Sequence, residues 1–141
     1  MSKQIALERF TQELFELLDE TFEQHHGIYL DKGTSLFETL ESISAQEASH
    51  PVSEKCATLA AQVKHIRFYL TVLEDAMVNK EVGKVDWQEI WRTTKDVTPE
   101  EWEALKQQLK ETYQRVLTTL KSFETWEGEG DIAHIPNSRQ L

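Results

Sequence analysis

Leu59, Val63, Ile66, Leu70, Leu73 and Met77 follow one another at intervals of four, three, four, three and four residues. That spacing places all six on one narrow face of a helix about 30 Å long, beginning near Thr58. Such a stripe has to be buried against something, so the helix is expected at the centre of whatever the chain builds. Other segments repeat the pattern. Between Ile5 and about Gln24, the residues Phe10, Leu14, Leu17, Leu18 and Phe22 recur at threes and fours among Glu and Gln, predicting an amphipathic helix that weakens at His25, His26 and Gly27.

Thr98-Pro99-Glu100-Glu101 is the sharpest local signal. Thr at the N-cap, Pro at the first helical position and Glu at the third predict a capping box, and with it a helix through Trp102, Leu105, Leu109, Val116 and Leu120 to about Phe123, ended by Gly128 and Gly130. Shorter helices are expected at Leu36, Phe37, Leu40 and Ile43, capped by Thr34 or Ser35 after an Asp31-Lys32-Gly33 turn, and at Trp87, Ile90 and Trp91, with Asp86 as N-cap. Whether residues 28–33 break the first helix or only bend it is open. Residues 44–55, which include His50-Pro51, read as a loop, as do the polar residues 79–85 around Gly83.

No strand, repeat or low-complexity tract is found, and five Gly and three Pro in 141 residues suit helices. Helices that cannot bury their stripes alone pack side by side, so the expectation is one all-α domain over 1–141, a bundle with an N-terminal amphipathic helix and a short Trp-bearing one. Residues 131–141 are expected to be an irregular tail or a remnant of a last helix, because Pro136 would stop a helix from continuing through them.

Twenty-five acidic residues against 15 basic ones give a formal net charge of −10. The basic residues are scattered singly, so nucleic acid and anionic membranes are not expected as partners. Cys56 is alone, apolar runs are far shorter than a membrane span, and Met1 to Gln4 lead straight into an amphipathic pattern; the expectation is cytoplasmic.

The five His residues are the chemical candidates, since no nucleophile triad, phosphate loop or Glu-x-x-His pair is present. His65 lies about 120° round its helix from the centre of the apolar stripe. There it is either a boundary side chain bonded to a neighbour or to water, or one reaching into a cleft. His134 stands in the tail, His25 and His26 diverge by about 100°, and His50 precedes a proline. The four Trp residues, at 87, 91, 102 and 126, read first as core.

The segment from Ala57 to Leu73, with His65 in an apolar context after a Thr-led entry, resembles the second helix of DinB-like proteins, and Leu40 to Glu47 is similar to the end of their first. The resemblance spans about residues 28–123. It implies an up-down-down-up four-helix bundle and a divalent metal, nickel, zinc, iron or manganese, held by three His. His65 takes the first of those roles. Ala133-His134 resembles a shortened remnant of the last helix, which makes His134 a second ligand, but Ser138 stands where the third would be. Two imidazoles alone bind weakly, so the site either borrows a ligand from water, a carboxylate, His25, His26 or a second subunit, or has lost its activity. Two functions are therefore expected: a degenerate metal-binding bundle acting as a homodimer, or a metal-dependent hydrolase or thiol-dependent transferase.

Overall fold

The structure, a computed structural model, describes residues 4–79 and 86–123. Among them there are six helices and no strand: α1 (Leu7–Phe22), α2 (Leu36–Glu41), α3 (Ala45–Ser49), α4 (Leu59–Asn79), α5 (Glu89–Thr93) and α6 (Pro99–Ser122). These residues are all-α, as expected, and none of the helices is long and apolar enough to cross a membrane. It divides into two compact units, Met1–Ser44 and Ala45–Leu141.

In the first unit, α1 stops at Phe22, where the amide of Glu23 bonds back to the Asp19 carbonyl at 2.8 Å. The helix is broken here rather than bent, and Glu20 is the reason. Its carboxylate accepts hydrogen bonds from the backbone N–H groups of His26 (2.8 Å), Ile28 (3.0 Å), Tyr29 (2.7 Å) and Leu30 (3.4 Å). In a continuing helix those amides would donate to carbonyls four residues back. Gly27, at φ +80°, supplies the left-handed residue that turns the chain into this arrangement. Ser35 is the N-cap of α2, but its hydroxyl is directed to the Glu23 carbonyl (2.9 Å) and the Glu38 carboxylate (2.6 Å). Phe22 meets Phe37 with ring centroids 6.0 Å apart, which packs the end of α1 on α2.

In the second unit, α4 runs beside α6, and Arg115 of α6 holds Glu74 of α4 at 3.1 Å. The Thr98 capping box is present in full: its hydroxyl accepts from the Glu101 amide (3.1 Å) and its own amide donates to the Glu101 carboxylate (3.0 Å). Trp102, Leu105, Leu109, Tyr113 and Val116 follow as the buried face of α6. On α4 the most buried residues are Ala60, Ala61, Val63 and Val72, so of the six-residue stripe only Val63 is fully covered. The burial is spread round α4 because the helix has neighbours on more than one side, including α5.

Three local expectations are corrected. Residues 44–55 are not all loop, since α3 occupies Ala45–Ser49, with Ala45 and Ala48 buried. Ser44 and Glu47 have the spacing of a capping box, which is the signal for this short helix. The α2 helix ends at Glu41, leaving Ile43 outside it. Asp86 is not the N-cap of α5; Gln88 holds that position, and the Asp86 carboxylate accepts the Gln88 amide (3.0 Å) and pairs with Arg92 (2.6 Å). Most of the loop expected at 79–85, the expected stop at Gly128 and Gly130, and the tail 131–141 lie outside the described residues.

Candidate functional site

His65 projects from the first half of α4, with Phe68 and Tyr69 one turn further along. Trp87 and Trp91, four residues apart, come from the turn before α5 and from α5 itself. The His65 ring is 4.9 Å from that of Trp91, 6.2 Å from Trp87 and 6.3 Å from Tyr69, centroid to centroid. Trp87 in turn lies 5.5 Å from Phe68, edge to face, and 5.4 Å from Tyr69. Five aromatic rings thus form one cluster on the side of α4 that its leucine stripe leaves free. All five are only partly covered.

Three nitrogens in this cluster are buried and have no hydrogen-bond partner: Nδ1 of His65 and Nε1 of Trp87 and of Trp91. A buried polar group without a partner costs about 1–3 kcal/mol, so three in one place are a concentrated instability. Burial also lowers the pKa of His65, so its imidazole is held neutral. The nitrogens differ in capacity. An indole N–H donates and has no lone pair to offer, whereas a neutral imidazole carries one donor and one acceptor.

Of these groups only the imidazole of His65 can ligate a metal. Indoles cannot ligate a cation through N–H, and among the described residues no group of three or more His, Cys, Asp or Glu is placed to hold one. His134, expected as the second ligand, lies outside the described residues, as does Trp126. Of the other histidines, His25 and His50 are exposed, and His26 Nε2 is bonded to the Asp19 carboxylate. Cys56 is exposed, its sulfur 3.2 Å from the Ser53 hydroxyl. Trp102 is core, as expected, at 1% exposure; Trp87 and Trp91 instead surround His65.

The other concentration of charge is Glu20 with the Asp19–His26 pair. Burial works to raise the Glu20 pKa, but the N–H groups of His26, Tyr29, Ile28 and Leu30 outweigh it and hold the value at about 2. His26 is pushed up, chiefly by its hydrogen bond to Asp19. These groups bond to their own backbone and to each other, which makes them a structural clasp. In the sequence, Glu20 looks like one more solvated acid; its position two residues before the end of α1 and seven before Gly27 is the only hint of its role.

Neither a known protein family, nor a curated protein, nor a solved structure matches the chain.

Proposed function

We propose that this chain is a non-catalytic binding module whose ligand site is the aromatic cluster of His65, Trp87 and Trp91. The observation that carries the proposal is the set of three buried, unpartnered ring nitrogens in one cluster. Buried polar groups in a folded protein are usually satisfied, and a place where several are not is one where a ligand supplies what the chain does not. On this proposal the resemblance to DinB-like bundles is one of scaffold, and the metal-dependent enzyme it implies is the rival. A homodimer goes with it, supported by the side of α1 on which Leu7, Phe10 and Leu17 stay 40–50% exposed. A cytoplasmic setting is proposed with it on the strength of the lone Cys56.

Nile red, a neutral apolar dye, separates the two functions. On excitation of tryptophan, the bound dye should emit by energy transfer, and Trp91→Ala should abolish that emission while far-ultraviolet circular dichroism stays unchanged. A chelator should have no effect. Dye emission indifferent to Trp91→Ala would overturn the proposal, and a stoichiometric divalent metal that survives chelator-free purification and is lost in His65→Ala would favour the rival.

A further inference from the structure

Taking the cluster at His65 as a ligand site, we propose that its ligand is a small aromatic carboxylate, with the ring lying among Trp87, Trp91 and Tyr69 and the carboxylate accepting from the two indole N–H groups. The chemistry of the unpartnered atoms selects the class. Trp87 and Trp91 each present a donor and no acceptor, so the ligand must bring acceptors. A carboxylate brings two oxygens with about four acceptor sites, and hydrogen bonds to an ionised acceptor are about twice as strong as neutral ones. His65 Nδ1, the third unpartnered atom, belongs to an imidazole that burial keeps neutral, and as the N–H tautomer it adds another donor.

Aromatic clusters also attract cations, through the negative faces of their rings. Here the groups left over are N–H dipoles, whose positive ends would oppose a cation. The net charge of −10 opposes an anion at long range. Along the segments that carry the rings, residues 64–67 and 86–96, Lys64, Arg67, Arg92 and Lys95 stand with Asp86, Glu89 and Asp96, and Arg92 is paired with Asp86 at 2.6 Å. The choice of a carboxylate therefore rests on the N–H donors of the cluster.

Entry requires movement, because the three nitrogens are covered. The element that would move is α5, five residues long with none of them buried, so little packing is lost when it swings from α4. On this proposal α5 opens for entry and its Trp91 then holds the ligand.

The test uses the full chain and displacement of Nile red by benzoate, benzamide and benzylamine, which share a ring and differ in the polar group. Benzoate should displace the Trp91-dependent dye signal, benzamide should need about tenfold more, and benzylamine should fail. Trp87→Phe and Trp91→Phe keep a ring and remove only the N–H, and each should weaken benzoate by about ten- to a hundredfold while dye binding persists. If benzylamine competes as well as benzoate, or if both Phe variants bind benzoate as the parent does, the carboxylate assignment is overturned while the binding module stands. Absence of any Trp91-dependent dye signal overturns both.

Discussion

At the scale of single residues, the molecule contains two opposite treatments of buried polar atoms. Glu20 is fully covered and has four backbone donors, while the nitrogens of His65, Trp87 and Trp91 are covered and have none. The first is a clasp and carries a pH signature. A free glutamate titrates near 4.5, and Glu20 in the fold near 2. A depressed carboxylate pKa stabilises the fold above the unfolded value and loses that contribution as pH falls toward the folded one. Thermal melts of the parent and of Glu20→Gln should therefore differ most at pH 5–6 and converge as pH approaches about 2. A constant gap across that range would mean the carboxylate is not ionised in the clasp. His26 acts in the other direction. Its pKa is raised above 6.5 by Asp19, so its contribution is complete below 6.5 and fades as pH rises through the folded value. His26→Gln should accordingly lower the melting temperature at pH 6 and have less effect at pH 9. The unpartnered nitrogens predict a different sign. Trp91→Phe removes a donor that no group satisfies, so the ligand-free protein should be as stable as the parent or more so, and a loss of more than about 1 kcal/mol would show that the N–H is satisfied without ligand.

At the scale of elements, legibility in the sequence follows from how local the physics is. The start of α6 was readable because Thr98, Pro99 and Glu101 cap one another within four residues and need no tertiary partner. Thr98→Ala should cost about 1 kcal/mol in denaturant unfolding, and no loss would show that the cap is not formed in solution. The first buried face of α6 was readable for the same reason, and Leu109, fully covered, should cost about 2–5 kcal/mol on truncation to Ala. The break after α1 was not decidable from propensity, because the residue that causes it, Glu20, acts on amides six to ten positions away. The α3 helix hid behind a Ser- and Ala-rich composition, although Ser44 and Glu47 mark its start. It is held partly from a distance: the Ser49 hydroxyl accepts the Val97 amide at 2.9 Å, 48 residues further on. On α1, the exposed Leu7, Phe10 and Leu17 make a separate claim. If this face joins two copies, light scattering should find a dimer that Phe10→Glu converts to a monomer, and a monomeric parent protein would exclude it.

At the scale of the whole molecule, the fold class was the most legible property, since helical periodicity without a single strand pattern leaves only an all-α chain. His65 was also legible as a border residue, about 120° from the leucine stripe. What surrounds it was not. Trp87 and Trp91 have the four-residue spacing of a core pair, and only the folded chain shows that they turn to His65 instead of joining Trp102 in the interior. The donors at His65 are what the proposed binding site rests on, because two indoles and a neutral imidazole ask for a hydrogen-bond acceptor. The most direct measurement is a two-dimensional nitrogen–proton spectrum of the four indole N–H groups during a benzoate titration, with assignments from the Trp→Phe variants. The indole resonances of Trp87 and Trp91 should move downfield together and saturate, while that of buried Trp102 stays in place. Four stationary indole resonances, or a response of the same two to stoichiometric zinc but not to benzoate, would contradict the account.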